Sequence, residues 1–316
     1  MSGAPDSVAA CLREKTARES RLRWQSQLLL GLVSTAAVIG TAATLWNTKT
    51  PANVEGLAIC AAFGALVWLL RAATPMAAVT GFLLTSCLYL RTVDQPKGGW
   101  FHTALLPGLA LFVLAFAATR FRRSQKERSG LAESRRGRRA SQVAANMGAA
   151  ALVVLLPSWC LPILAGHRPN LHRWVYGEPT PFALLFLVPA AVAALAEAAA
   201  DTVSSEVGQA IGGSPWSITS LRRVPPGTDG GITLAGTVSG CIAAAIVVLA
   251  AVPALRLDPE QAGIAWISAI AGLFADSLLG ATLERRGWLN NDSVNFLSTA
   301  IAAWCAAFWL LRLFRF

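Results

Sequence analysis

The sequence predicts an all-α, polytopic transmembrane bundle of about nine spans with its N-terminus on the cytoplasmic side. Three observations predict it. Hydrophobic residues make up 54% of the 316-residue chain and charged residues 14%, far fewer charges than a soluble domain of this length carries. The apolar residues fall into runs of roughly 20, the length that crosses a hydrocarbon core. The basic residues gather in short segments between those runs, the pattern that orients a membrane protein.

The elements follow in order. Residues 1–26 are polar, with Arg13, Lys15, Arg18, Arg21 and Arg23 before the first apolar run. They read as a cytoplasmic juxtamembrane helix, because the run that follows is too long for a cleavable signal core. Spans are read at 27–46, 52–70, 73–90, 101–120, 142–163, 181–200, 233–255, 262–282 and 294–314, so that 27–316 forms a single transmembrane domain. Little more than Arg71 separates the second and third spans, which predicts a tight hairpin. Pro157 and Pro162 predict a kink or an early end to the fifth. With the N-terminus inside, the polar loops 121–141, 201–232 and 283–293 share the cytoplasmic face of a cytoplasmic (inner) membrane. The densest basic cluster, Arg120 to Arg139, lies on that face too.

Composition also excludes classes. A net charge of +10 would point to nucleic acid in a soluble chain. Here it reads as basic loops against anionic lipid, with no nucleic-acid partner. Six cysteines lack paired spacing, five of them in apolar runs, so neither a disulfide framework nor a zinc site is expected. His102, His167 and His172 are scattered, and no internal repeat stands out.

Five polar constellations interrupt this apolar background. The first ends the run from Pro181: Glu197, then Asp201-Thr-Val-Ser-Ser205-Glu206. If the helix continues past Ala200, then Glu197, Asp201 and Ser205 share a face. Carboxylates and a hydroxyl at a helix end form a hard-oxygen site suited to Mg²⁺; the bland alternative is a solvated helix terminus. The second is Arg222-Arg223-Val-Pro-Pro-Gly227-Thr228-Asp229-Gly230-Gly231. Glycines let backbone N–H groups converge on an anion and arginines supply phosphate-matching forks; the alternative is a plain Pro/Gly turn. A Walker phosphate loop is excluded, because the Gly-Lys-Ser/Thr ending is missing.

The third is Asp276 with Ser277 inside an apolar run. It is either a functional intramembrane acid or half of a structural salt bridge. The fourth, Asn290-Asn291-Asp292-Ser-Val-Asn295, suits metal, ribose or base-edge binding, or an N-cap turn. The fifth runs from Arg135, Arg136, Arg138 and Arg139 to Gln142 and Asn146. It is either a lipid-facing anchor or a phosphate site at a helix start. Acidic metal ligands, glycine-rich backbone and arginines on one face are together the parts of phosphoryl transfer.

These five stretches resemble an integral membrane family, the domain-of-unknown-function 92 family, whose members include animal transmembrane protein 19 and the plant phytyl-phosphate kinase. The matching blocks are Asp201, Thr202, Ser205, Glu206 and Gly208; Arg223 through Gly230; Asp276, Ser277, Gly280 and Ala281; Asn290 to Asn295; and Arg139 to Asn146. They cover about residues 70 to 310, and Glu284 stands where the family usually has Gln. The resemblance implies transfer of a phosphoryl group from a nucleoside triphosphate, CTP ahead of ATP, to an isoprenyl monophosphate in the bilayer. The expected roles are then as follows. Asp201, Glu206 and Asp276 are catalytic and, with Asp292, hold Mg²⁺. Arg222, Arg223, Gly227, Thr228, Gly230, Gly231, Asn291 and Asn295 bind nucleotide or phosphate. Arg139, Gln142 and Asn146 hold the lipid phosphate. Two other readings stand beside this one: a different lipid-phosphate nucleotidyl- or phosphotransferase, and a non-enzymatic carrier or flippase of phosphorylated lipid.

Overall fold

A computed structural model describes residues 4–47, 50–93, 99–131, 137–156, 181–211 and 213–313. The helices are α1 (Ala4–Arg21), α2 (Arg23–Asn47), α3 (Pro51–Leu69), α4 (Pro75–Thr92), α5 (Leu105–Arg120), α6 (Arg123–Arg128), α7 (Ala140–Leu155), α8 (Pro181–Ile211), α9 (Leu234–Leu255), α10 (Pro259–Leu279) and α11 (Asn291–Leu313). A 3₁₀ turn, Trp100–His102, precedes α5, and a π turn, Gly280–Glu284, continues α10. Two-residue strands β1 (Trp216–Ser217) and β2 (Gly231–Ile232) pair antiparallel, Trp216 with Ile232 and Ser217 with Gly231.

The alanine-rich α8 is the axis. In its most apolar stretch 94% of residues are buried, against 11% for α2, so α8 is central and α2 peripheral. Helices α5, α7, α9, α10 and α11 surround it. Glycines permit the closest approaches, as small residues do between membrane helices. A Cβ on Gly240 would fall 2.8 Å from the Ala200 carbonyl oxygen, and one on Gly236 would fall 2.6 Å from that of Ser204. Both contacts seat α9 against α8.

Six helices among the described residues, α2, α3, α8, α9, α10 with its π turn, and α11, are long and apolar enough to cross a membrane, and α5 and α7 are shorter apolar helices. Large apolar side chains such as Leu32, Ile39, Leu249 and Ile267 stand exposed along several of them, a surface suited to lipid and costly in water. The fold is an all-α polytopic membrane bundle.

Helices occupy all nine regions read as spans, with shifted ends. The fourth begins as a 3₁₀ turn and becomes α-helical only at Leu105. The fifth stops at Leu155, and Leu156, which precedes Pro157 in the sequence, is already extended at ψ 129°, as the residue before a proline prefers. Pro157, Pro162, His167 and His172 lie outside the described residues. The expected hairpin is present: Arg71 turns the chain with φ +53°, and Thr74 caps α4 by accepting the Ala77 N–H at 3.3 Å. One boundary is corrected. The loop expected from residue 201 starts only beyond Ile211, because the alternation of small apolar and polar residues there keeps helical spacing.

Candidate active site

The polar constellations meet at one end of the bundle around a cavity of about 260 Å³. Close helix packing sets up its acidic wall. A Cβ on Gly272 would lie 2.6 Å from the Glu197 Cγ and 2.9 Å from the Ala302 Cβ, so α10 presses on α8 and α11 at that level. One helical turn further along α8 and α10, Asp201 and Asp276 line the cavity. Glu197 is completely buried behind them. Glu197, Asp201 and Asp276 are close enough to repel one another. Among the described residues, neither Glu197 oxygen has a hydrogen-bond partner, nor does the Asp276 Oδ2. Carboxylates out of water without a partner are neutralised by a proton or balanced by a cation.

The glycine-rich loop forms a second wall. Gly227 and Gly230 have φ of +86° and +70°, a region that side-chain-bearing residues enter only with strain. At Gly230 a Cβ would also fall 2.4 Å from the Ala281 Cβ and 2.5 Å from the Ser277 carbonyl oxygen. The loop can seat on the end of α10 only because that residue is glycine. Thr228 closes the turn by donating its hydroxyl to the Pro225 carbonyl at 2.7 Å, and Gly231 donates its N–H to the Thr228 carbonyl at 3.0 Å. Thr233 then caps α9 by accepting the Gly236 N–H at 3.1 Å.

A third wall comes from the start of α7 and from α11. Gln142, Asn146, Asn291 and Asn295 line the cavity, and the Asn295 amide donates to the Asn146 Oδ1 at 3.1 Å. The cavity thus gathers Asp201, Glu206, Asp276, Gly227, Thr228, Gly230, Gly231, Gln142, Asn146, Asn291 and Asn295 from separate stretches.

Five expected residues sit elsewhere or are engaged. Arg139 is exposed at the α7 N-cap, its backbone N–H donating to the Gln142 Oε1 at 2.8 Å. Its neighbour Arg138 takes the place in the wall, donating to the Thr202 Oγ1 at 3.2 Å. The backbone there is stitched to the α3–α4 turn: Arg138 N–H to the Ala72 carbonyl at 2.9 Å, and Thr74 N–H to the Arg138 carbonyl at 3.0 Å. That pairing decides which arginine faces inward. Arg222 and Arg223 are exposed and outside the cavity wall. The Arg223 guanidinium stacks 3.7 Å over Trp216 and donates to the Ser214 carbonyl, bracing the hairpin. Asp292 is buried against α2, accepting from the Ser26 hydroxyl at 2.7 Å, and does not line the cavity. Glu206 does, yet its carboxylate is ion-paired with buried Lys126, which also donates to the carbonyls of Ala118 at 3.1 Å and Thr119 at 3.0 Å. A metal at Glu206 would have to compete with that ammonium. Arg135 and Arg136 lie outside the described residues.

Sequence reasoning missed the contribution of α1. Lys15 lines the cavity, 2.5 Å from the Asp229 Oδ1 and 3.5 Å from the Glu284 Oε1. Arg18 meets the Asp229 Oδ2 at 2.5 Å, and Arg285 donates to the Asp229 carbonyl at 2.9 Å. Burial works against the Lys15 charge, but Glu284 and Asp229 outweigh it and raise its pKa above the usual lysine value. Burial raises the pKa of the Glu19 carboxyl, which accepts the Asn291 N–H at 2.8 Å. Only a juxtamembrane run rich in Lys and Arg hinted at these contacts, and such runs usually touch lipid.

Among the described residues no group of three or more His, Cys, Asp or Glu is arranged to hold a metal by itself. The paired Asp201 and Asp276, with the orphaned Asp276 oxygen, fit an ion that takes one or two carboxylates and completes its shell with phosphate oxygens and water, as Mg²⁺ does.

The family described as "Integral membrane protein DUF92" matches residues 58–303. The chain belongs to this family. That DUF92 match contains every cavity-lining residue except Lys15. "Protein VTE6, chloroplastic" of Arabidopsis thaliana is 29% identical over 197 residues, 61% of this chain and 54% of that one, so the chain spans about half the length of that relative. An uncharacterized membrane protein of Synechocystis sp. is 32% identical over 209 residues, 65% of this chain and 72% of the relative. Another, from Methanocaldococcus jannaschii, is 39% identical over 110 residues, 35% and 46% of the two chains. No solved structure matches the chain.

Proposed function

We propose that this DUF92-family chain is an isoprenyl-monophosphate kinase. It transfers the terminal phosphoryl group of a nucleoside triphosphate, CTP ahead of ATP, to the phosphate of a phytyl-like lipid held in the bilayer. One observation carries the reading: Asp201 and Asp276, the loop Gly227–Gly231, and Arg138 with Gln142 and Asn146 wall a single polar cavity at the end of an apolar bundle. The motif resemblance to the family of the plant phytyl-phosphate kinase supports the choice of lipid. The cavity end faces the cytoplasm of the inner membrane, where nucleotide is available and where anionic lipid meets the basic loops.

The residues divide the work by position. The left-handed glycines let the Gly227–Gly231 backbone turn toward the triphosphate, and Asn291 lines the same cavity. Arg138, Gln142 and Asn146 orient the lipid phosphate. Asp201 and Asp276 would hold Mg²⁺, which when bound neutralises charge between the phosphates. An oxygen of the lipid phosphate attacks the terminal phosphorus. The new P–O bond forms as the bond from that phosphorus to its bridging oxygen breaks, and the nucleoside diphosphate leaves. Such a transfer needs alignment and charge neutralisation more than covalent help from side chains. Lys15 and Arg18 balance the charge of Asp229 and Glu284 in the wall, so that those carboxylates do not repel the diphosphate.

Asp201→Asn tests the reading. With geranylgeranyl monophosphate and CTP in proteoliposomes, the variant is expected to lose about a hundredfold or more in kcat. Full activity would end the metal role of Asp201. Release of pyrophosphate by the unmodified chain would indicate nucleotidyl transfer instead. Nucleotide-independent movement of the lipid phosphate across liposomes would indicate a carrier.

A further inference from the structure

A second cavity, of about 130 Å³, lies between α3, α4, α5 and α7. It is apolar along its length and basic at one end, where Arg71, Arg120, Arg123 and Arg138 stand in its wall. Arg138 and Asn146 line both this groove and the polar cavity. They form the partition between an apolar slot and a phosphate-handling site. Aromatic rings form one side, Phe63 and Phe112 meeting edge to face at 5.2 Å. Small residues leave the space open: a Cβ on Gly108 would meet nothing within 4 Å, and one on Gly81 only the Val143 Cγ1 at 4.0 Å.

The basic end is built, not incidental. Gly137 has φ +78°, and a Cβ there would lie 2.6 Å from the Ala72 carbonyl carbon. The chain can lie against the α3–α4 turn at this point only as glycine, which fixes Arg138 at the junction. Arg120 is held over the Phe116 ring at 3.7 Å and donates to the Leu70 carbonyl at 3.2 Å.

We infer that this groove is the binding site for the single hydrocarbon tail of the lipid monophosphate, with the phosphate drawn by the arginines to the Arg138–Asn146 partition. The inference rests on the kinase reading for the identity of the headgroup and adds where the tail lies and what limits its length. Charge complementarity selects the occupant: one narrow apolar slot leading to four guanidinium groups fits one chain with a terminal phosphate. A bulk diacyl phospholipid would bring a second chain that the slot does not accommodate. Side chains added at Gly81 or Gly108 would shorten the slot.

The experiment uses the full chain in proteoliposomes with a geranylgeranyl monophosphate bearing a diazirine at the far end of its tail. Adducts are expected on the groove faces of α3, α4 and α5. They should be displaced by geranylgeranyl monophosphate and not by phosphatidic acid. In Gly81→Leu and Gly108→Leu, the ratio of kcat/KM for geranylgeranyl over dimethylallyl monophosphate should fall by about tenfold or more. Adducts on other helices, displacement by phosphatidic acid, or an unchanged ratio would each overturn the inference. Mapping on the unmodified chain decides the matter even if a leucine variant does not fold. Adducts in the groove without phosphoryl transfer would keep the tail site and end the kinase reading. Transfer with adducts elsewhere would do the reverse.

Discussion

Lys126 shows how a single residue can anchor a site without acting in it. Its side chain is 1% exposed and that of its partner Glu206 8%, so the pair is effectively out of solvent. Removing one partner of a buried ion pair strands the other charge, at a cost of about 3–5 kcal/mol. Lys126→Met should therefore lower the melting temperature in detergent sharply, and Lys126→Met with Glu206→Met should recover most of the loss. A double variant as unstable as the single one would show that the pair is not the source. The same scale explains what was legible. Asp201 and Asp276 stood out because acids at membrane depth are costly. Arg138 did not stand out from Arg139, because two adjacent arginines look alike until a backbone pairing with Ala72 and Thr74 chooses between them.

At the scale of elements, α1 is both a charged juxtamembrane helix and part of the cavity wall. Its hold depends on Lys15, whose pKa in the folded protein is raised above the ordinary 10.5. A raised pKa means that the stabilisation is fully present below the unfolded value and is lost as pH rises through the folded one. A spin label at Glu14→Cys, on an exposed position of α1, should therefore keep one mobility across mildly alkaline pH and loosen only above about 10.5. Loosening at mildly alkaline pH would show that another group controls docking. In Lys15→Ala with Arg18→Ala the label should be mobile throughout. Helix α8 taught a different lesson. Its four-residue spacing of Glu197, Asp201 and Ser205 was readable, but the apolar run alone ended at residue 200. Only packing against α9 through Gly208, Gly236 and Gly240 shows the helix carried on through the motif.

For the whole molecule, the arrangement predicts a sidedness. Residues 4–21, 121–131 and 213–232 belong to the cavity end, whereas the turn Arg256–Asp258, reached after α9 has run away from that end, belongs to the other. In membrane vesicles of known orientation, cysteines at Glu14, Ser124 and Arg222 should react with a membrane-impermeant maleimide from one side, the proposed cytoplasmic one. A cysteine at Arg256 should react from the opposite side. Labelling of Arg222→Cys and Arg256→Cys from the same side would overturn the proposed topology and with it the access of nucleotide to the cavity.

The sequence by itself determined the class of fold, the order of helices, the family, and which polar stretches break the apolar pattern. Those properties follow from local chemistry: the length and hydropathy of each run, and the cost of placing charge in hydrocarbon. The tertiary structure alone decided which of those polar residues share a cavity. It brought Lys15 in from α1, replaced Arg139 by Arg138, turned Arg223 onto Trp216 and Asp292 onto Ser26, and occupied Glu206 with Lys126. Each choice depends on contacts between residues distant in the chain, where a glycine's missing Cβ or a single backbone pairing sets which side chain turns inward, and no local pattern encodes that.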